Sequence, residues 1–313
     1  MLAYVARRLL LAVPTLLAVM TLVFVLVRIV PGDPAQTILG DQASQEALMA
    51  MRERLGLNRP LWEQYIDFLR DALSGDWGNS MVTGHPILQE ILNVLPYTID
   101  LTVASLIIGA LFGIPLGVWS ALHRNRLVDY VTRVGSLLGL SFPAFVSAIL
   151  LLLVFSIELN WFPVISAGDR SSVGEVLENL ALPAINLGLI MTAYITRVTR
   201  SSMLNVLGED YIRTAHAKGL PNRAVIWIHA LRNALIPVVT VVGLYLGILI
   251  GNSVLTEIVF NRPGLGKLIV GALSQRDYTM LQGLMVIYTF IIIIVNLLTD
   301  LTYGLIDPRV KYS

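Results

Sequence analysis

The sequence has 313 residues, of which 56% are hydrophobic and only 14% are charged, and its mean hydropathy is +0.73. Soluble domains carry about 25% charged residues, so this composition indicates an integral membrane protein. The net charge of +1 is uninformative about a nucleic-acid partner, and no Lys/Arg-rich run indicates one. The sequence contains no cysteine, which excludes disulfides, thiolate metal sites and cysteine nucleophiles.

Uncharged runs long enough to cross a hydrocarbon core about 30 Å thick recur along the chain. They are Leu9–Val27, Leu101–Leu122, Val134–Ile157, Leu180–Thr196, Ala234–Thr256 and Tyr278–Thr299. The first run is too long for the core of a signal peptide and no small-residue cleavage site follows it, so we expect it to be retained. The sequence therefore predicts an all-α integral membrane protein with six transmembrane helices.

Basic residues are concentrated in alternate connections between these spans. They are Arg7, Arg8, Arg124, Arg126, Arg133, Arg197, Arg200, Arg213, Lys218, Arg223, Arg232, Arg309 and Lys311. Because cytoplasmic loops carry an excess of Lys and Arg, we predict that these connections and both termini are cytoplasmic. Three basic residues on the opposite side, Arg262, Lys267 and Arg276, weaken the bias without reversing it.

The longest polar segment, from Pro31 to Pro96, lies between the first two spans. It opens with Pro-Gly-Asp-Pro at 31–34, which stops the first helix. Two amphipathic helices are predicted at 46–55 and 61–73, the second with Trp62, Tyr65, Phe68 and Leu69 on one face. The segment is predicted to be a small helical extracytoplasmic insertion, which either only connects the spans or packs its aromatic face on the bundle.

These boundaries divide the chain into four predicted parts. Residues 1–30 hold the cytoplasmic N-terminus and the first span, and 31–98 form the insertion. Residues 99–303 form a five-helix core that contains a cytoplasmic loop at 204–235, and 304–313 form a cytoplasmic tail.

Small residues recur every four positions in two spans, at Gly109, Gly113 and Gly117 and again at Gly243, Gly247 and Gly251. Such spacing lets a second helix approach closely. We predict internal packing for the first set and leave internal packing or a subunit interface open for the second. Pro115 and Pro143 are expected to bend the second and third spans.

A polar stretch between the fourth and fifth spans, Glu209–Pro237, is predicted to form a helix, a turn and a second helix. Gly219 suits a left-handed turn after a helix over Glu209–Lys218, and Pro221 suits the first turn of the next helix. Ile212, Ala215 and Gly219 share one face at three- and four-residue spacing. Because this small apolar face cannot fold alone, we expect it to enter the groove of a partner.

The stretch resembles the EAA loop of ABC importer permeases in Glu209, Thr214-Ala215, Gly219 and Ile236-Pro237. Six further segments resemble the dipeptide/oligopeptide (Opp/Dpp-type) branch of that family. They are Leu26–Ala35, Arg52–Tyr65, Gly75–Ser80, Phe260–Leu268, Arg276–Gly283 and Asp307–Val310. The resemblance implies the six-helix fold of type I ABC importer permeases in a bacterial or archaeal cytoplasmic membrane.

The resemblance also implies roles and partners. The residues that would couple to an ATPase subunit are Glu209, Asp210, Tyr211, Ile212, Thr214, Ala215, Ala217 and Gly219. The proline and glycines of Asn261–Gly266 predict an exposed external turn. We expect this turn, with Asn261, Arg262, Pro263 and Gly264, to face the substrate-binding protein that the resemblance implies. The implied partners are a homologous second permease, two ATPase subunits, an extracytoplasmic binding protein, membrane lipid and a short peptide as substrate. Glutathione, nickel chelates and oligosaccharides are alternative substrates within the family.

Polar residues inside the spans have two possible roles. Those that could line a pathway for a zwitterionic peptide are Asn186, Tyr194, Tyr245, Asn252 and Asn296. The same side chains could instead form interhelical hydrogen bonds, each worth about 0.6 kcal/mol.

Catalytic and cofactor motifs are missing from the sequence. The Gly264–Lys267 segment lacks the first glycine and the Ser/Thr of a phosphate loop, so we expect ATP and Mg²⁺ to be bound by partner ATPase subunits and no cofactor or metal by this chain. We predict a non-catalytic membrane subunit. A self-sufficient secondary carrier or channel is the rival, but ionisable residues are nearly absent from the spans, where ion-coupled carriers usually need them.

Overall fold

The computed structural model describes residues 2–29, 33–40, 42–166 and 172–306, and within these residues the chain is helical with no strand. Its helices are α1 (Leu2–Ile29), α2 (Pro34–Leu39), α3 (Gln45–Arg54), α4 (Leu61–Ser74), α5 (Ile87–Leu122), α6 (Leu127–Ser141), α7 (Ala144–Leu151), α8 (Val173–Leu207), α9 (Asp210–Ala217), α10 (Asn222–Ala224), α11 (Leu231–Val259), α12 (Leu265–Ser274) and α13 (Tyr278–Ile306). Two π-helical segments, Leu152–Glu158 and Val225–Ala230, extend α7 and lead into α11.

Helices long and apolar enough to cross a membrane correspond to the predicted spans. Five qualify singly among the described residues, and a sixth span results if the bent pair Leu127–Ser141 and Ala144–Glu158 is counted as one. The two halves of that pair meet at 101°. The predicted bend at Pro143 is thereby confirmed, and it takes the form of a break between two helices. Phe142 is extended at φ −79° and ψ 127°, because a residue before proline is disfavoured in the helical region.

Helix α5 begins earlier than the sequence predicts. It starts at Ile87 and runs without interruption to Leu122, whereas the uncharged run begins only at Leu101. The helix thus starts within the segment assigned to the insertion, and it continues past Asp100 and Pro115. One charged residue ends an uncharged run in a sequence, but it does not end a helix.

The chain forms two compact units, and the first comprises Met1–Pro96 and Gly264–Ile294. One of its cores combines Ile87 and Ile91 of α5 with Leu265 of α12 and Leu284 of α13. The predicted aromatic face of α4 packs on α1, since the rings of Tyr65 and Phe68 lie 5.2 and 6.0 Å from that of Phe24. Trp62, which shares the predicted face, is 64% exposed.

The second unit comprises Tyr97–Pro263 and Val295–Ser313, and α5 and α8 approach closely within it. A Cβ atom added to Gly113 would lie 2.7 Å from Cβ of Ile195, and one added to Gly117 would lie 2.5 Å from Cβ of Thr199. The prediction of internal packing for this glycine set is confirmed. In α11 the glycines differ, because Gly243 is crowded by Thr299 whereas Gly251 has no atom within 4 Å of such a Cβ.

A buried ion pair joins α6 to α8, and the sequence gives no sign of it. Asp129 is fully buried; its carboxylate oxygens accept hydrogen bonds from Nε and Nη2 of Arg200 at 2.5 and 2.8 Å. Ser120 Oγ and the backbone N–H of Asn125 also donate to this carboxylate. All the donors together satisfy a charge that would be costly to bury alone.

Some predicted features lie outside the described residues. They are Pro31 and Gly32 of the turn after the first span, the segment Asp307–Val310, the basic residues Arg309 and Lys311, and most of the predicted tail at 304–313.

Candidate functional site

Helix α9 is the short polar helix predicted between the fourth and fifth spans. Glu209 is its N-terminal cap and Lys218 its C-terminal cap, as the sequence predicts. Gly219 has φ +74°, which confirms the left-handed turn. The backbone N–H groups of Gly219 and Leu220 donate to the carbonyls of His216 and Ala215 at 2.9 and 3.3 Å. This is the hydrogen-bond pattern of a Schellman motif, which fixes where the helix stops.

The apolar face of α9 is buried against its own chain. Ile212 is 2% exposed and Ala215 8% exposed. The expectation that both would enter a partner's groove is therefore wrong, because the bundle itself covers them. Gly219, the third member of the predicted stripe, remains exposed.

Helix α9 packs against the ends of three long helices. Ile212 and Ala215 share a core cluster with Val118 of α5, Met203 of α8 and Leu231 of α11. A polar contact adds to it, since Nδ2 of Asn233 on α11 donates to the hydroxyl of Tyr211 at 2.7 Å. Because folded cores are densely packed, a displacement of α9 must be transmitted to these helices.

The opposite face of α9 is polar and open. The exposed members of the predicted coupling set are Glu209, Asp210, Tyr211, Thr214, Ala217 and Gly219. Asp210 pairs with Arg213 at 3.2 Å, but exposed pairs of this kind add little stability. This face is therefore held in place by the buried side of the helix and remains available for contact with another protein.

Two of the predicted pathway residues meet in the bundle. The rings of Tyr194 on α8 and Tyr245 on α11 lie 3.8 Å apart, with 34° between their planes. Asn252 is half-buried further along α11, and Asn296 on α13 is exposed. Of the five predicted residues, Tyr194 and Tyr245 are the two that a described contact brings together.

Asn186 joins three helices instead of facing an open channel. It is fully buried; its Oδ1 accepts from Ser147 Oγ at 2.7 Å. Its Nδ2 donates to the carbonyl of Ala144 at 3.1 Å and to Thr256 Oγ1 at 3.2 Å. The geometry favours interhelical hydrogen bonding for this residue.

The external turn at 261–264 differs from its predicted exposure. Asn261 is exposed and has φ +50°, but Arg262 is only 2% exposed. The Arg262 guanidinium lies 5.4 Å from the ring centroid of Tyr97 and donates to the carbonyl of Asn179. Arg262 therefore stabilises the fold of the second unit, while Pro263 is half-buried and Gly264 caps α12.

Comparison with known proteins identifies the family. Residues 113–312 match the family described as "Binding-protein-dependent transport system inner membrane component", and residues 1–102 match its N-terminal counterpart. The chain belongs to this family. Among the relatives of this permease family, the dipeptide transport system permease protein DppB of Alkalihalophilus pseudofirmus is 43% identical over the whole of both chains. The glutathione transport system permease protein GsiC of Escherichia coli K12 is 41% identical, again over the whole of both chains.

A solved structure of an ABC transporter has a fold similar to that of this chain. The MetNI methionine ABC transporter, in an inward-facing conformation, matches with a TM-score of 0.56 and 16% identity over 71% of this chain and 99% of that chain. The predicted fold class, an all-α integral membrane protein of the type I ABC importer permease kind, is thereby confirmed. The chain is a multi-pass inner-membrane protein, and its relatives are transport permeases, which implies a non-catalytic membrane subunit.

Proposed function

We propose that this chain is a membrane subunit of an ATP-driven importer of short peptides. It pairs with a homologous second permease, two ATPase subunits and an extracytoplasmic binding protein, and its termini lie in the cytoplasm of a bacterium. ATP and Mg²⁺ bind to the ATPase subunits. The full-length similarity to a dipeptide permease at 43% identity supports a peptide substrate, and the similarity to a glutathione permease at 41% supports glutathione as the second candidate.

The single observation that supports the coupling role is that α9 has one buried apolar face and one exposed polar face. Its apolar side is buried beside α5, α8 and α11, and its polar side is exposed. A helix with this construction transmits a push from an ATPase subunit into the ends of three membrane helices. Closure of the two ATPases on ATP would move these ends and reorient the substrate pathway.

The pathway is proposed to pass the tyrosine pair on α8 and α11. Tyr194 and Tyr245 offer hydroxyl groups to the polar backbone of a peptide, and Asn252 and Asn296 extend the polar surface along α11 and α13. On the external side, the exposed Asn261 is the member of the 261–264 turn best placed to contact the binding protein.

The deciding experiment reconstitutes the chain in liposomes in three forms: alone, with its partner subunits, and with partners that carry an inactive ATPase. We expect uptake of a labelled dipeptide only in the second form, with added ATP and binding protein. Glutathione is the competing substrate in the same assay, and its preferred uptake would replace the peptide assignment. Uptake by the chain alone would contradict the importer and support a secondary carrier or channel.

Contact through the polar face of α9 is tested by substituting Ala217. Ala217→Arg places a bulky charge on the exposed face and should reduce the amount of ATPase that co-purifies, while the chain still inserts. Ser74→Arg is the matched control, because Ser74 is equally exposed but lies at the end of α4. Equal retention of ATPase in both variants would contradict docking on α9.

A further inference from the structure

A cavity of about 630 Å³ opens between α6, α8 and α11, and its lining includes neither the tyrosine pair nor a residue of α9. Its polar lining is basic and hydroxylic, with Arg133 and Ser136 on α6 and Thr196 and Arg197 on α8. Its volume is in the range of small-molecule sites, about 300–1,000 Å³. The proposed transport function does not use these residues.

The cavity carries positive charge that the chain does not neutralise. Arg200 also lines it, but both oxygens of Asp129 already hold that guanidinium. Arg133 and Arg197 have no acidic partner among the described residues. The Arg133 guanidinium lies 5.3 Å from the ring centroid of Tyr130, a contact that does not neutralise its charge. Two guanidinium groups without a carboxylate partner, beside hydroxyls, are suited to the oxygens of a phosphoryl group.

An unpartnered hydroxyl in the cavity wall provides an independent sign of a ligand. Thr196 is only 2% exposed, and its Oγ1 has no hydrogen-bond partner among the described residues. Buried polar atoms are rarely left unpaired, because an unmade hydrogen bond costs about 1–3 kcal/mol. A bound oxygen acceptor would satisfy this hydroxyl.

The surroundings of the cavity distinguish a lipid from a free anion. Leu137, which lines the cavity, is 57% exposed, and Val134 and Leu138 beside it are 47% and 55% exposed. An apolar strip on a membrane helix therefore begins where the basic site ends. A soluble phosphate needs no such strip, whereas acyl chains attached to a phosphoryl group would cover it.

We propose that this cavity binds the headgroup of an anionic phospholipid, with the phosphoryl group between Arg133 and Arg197 and the acyl chains along α6. The basic connections place the site at the predicted cytoplasmic side, where anionic lipid attracts Lys and Arg. A lipid held there would fill the space between α6, α8 and α11.

The test uses the full chain, purified and stripped of lipid, and titrated with phosphatidylglycerol or phosphatidylcholine of the same acyl chains while bound lipid is counted by native mass spectrometry. We expect the wild type to prefer phosphatidylglycerol. The double substitution Arg133→Gln with Arg197→Gln should weaken that binding about tenfold or more, as expected for two lost charges near a headgroup. Thr196→Val should weaken it a few-fold through the lost hydroxyl.

The matched control is Arg124→Gln with Arg126→Gln, which removes the same charge from exposed positions outside the cavity. An equal loss in this control would show a general surface attraction and would overturn the site. Inorganic phosphate that displaces the lipid at millimolar concentration would assign the cavity to a soluble anion. Displacement by a dipeptide would assign it to the substrate path, and either result would overturn the lipid proposal.

Discussion

Gly219 is the residue at which the mechanical role of α9 can be tested with the least disturbance. Its φ is +74° and a Cβ built there meets no atom within 4 Å, so a substitution adds backbone strain without a steric clash. That strain is about 1–2 kcal/mol for an ordinary residue and more for a β-branched one. We predict that Gly219→Val leaves insertion intact but reduces ATPase retention or uncouples ATP hydrolysis from uptake.

The measurement compares ATPase retention, ATP hydrolysis and transport in the purified mutant complex with those of a Gly271→Val complex. Gly271 also has open space around a new Cβ, but its φ is not positive. Wild-type values of all three quantities in Gly219→Val would mean that this turn does not set the direction of α9.

Asn186 allows its two interpretations to be separated at the same scale. Asn186→Leu removes the hydrogen bonds of Asn186 to Ser147, Ala144 and Thr256, and a hydrogen bond of this kind contributes about 0.5–1.5 kcal/mol. We predict a lower melting temperature for the purified chain and an unchanged KM for substrate in the complex. Asn296→Leu, at an exposed position, should leave the melting temperature unchanged. A raised KM with normal stability in Asn186→Leu would indicate instead that this residue contacts the substrate.

At the scale of elements, the contact between α5 and α8 depends on residues without side chains. Gly113→Leu would place a Cβ 2.7 Å from that of Ile195, and overpacking of this kind typically costs about 1–3 kcal/mol or more. Gly251→Leu on α11 is the control, since open space surrounds it. We predict a large loss of thermal stability for the first variant and little change for the second, measured on the isolated chain.

The outcome for Gly251 in the assembled complex is informative in its own right. If Gly251→Leu keeps the isolated chain stable but prevents pairing with the second permease, this part of α11 lies at the subunit interface. Equal loss of stability in the two glycine variants of the isolated chain would mean that the close approach of α5 to α8 does not depend on Gly113.

Hydropathy and local turn signals predict most of the helices of this chain but not the breaks within them. The spans were predictable because each must bury a long apolar run, and α9 was predictable because Gly219 and the caps act locally. The break at Pro143 was expected only as a bend, since the proline predicts an interruption of the helix but not the angle of 101° between the two halves. The π-helical segment Leu152–Glu158 could not be inferred, because its amino-acid composition does not differ from that of an ordinary apolar α-helix.

The contacts that build the site and the bundle around it were harder to predict, because they join residues that are far apart in the sequence. Asp129 and Arg200 lie 71 positions apart, and only the packing of α6 on α8 makes them a pair. Ile212 and Ala215 formed a recognisable apolar stripe, but the stripe itself does not reveal whether its own bundle or a partner covers it. The sequence places Arg262 in a surface turn, but the side chain is buried and its guanidinium lies 5.4 Å from the ring centroid of Tyr97.

At the scale of the whole molecule, the orientation in the membrane remains a prediction from the basic connections. Because the chain has no cysteine, single introduced thiols report their side without background. Asn58 in the insertion and Asn222 after the turn at Gly219 are both exposed.

We predict that Asn58→Cys in intact cells reacts with a membrane-impermeant maleimide and that Asn222→Cys reacts only after permeabilisation. These positions avoid the cap of α3, where Ser44 Oγ accepts from the N–H of Ala47, so neither substitution removes a helix cap. Reaction of both thiols in intact cells would contradict the orientation, and with it the assignment of α9 to the side on which ATP is available.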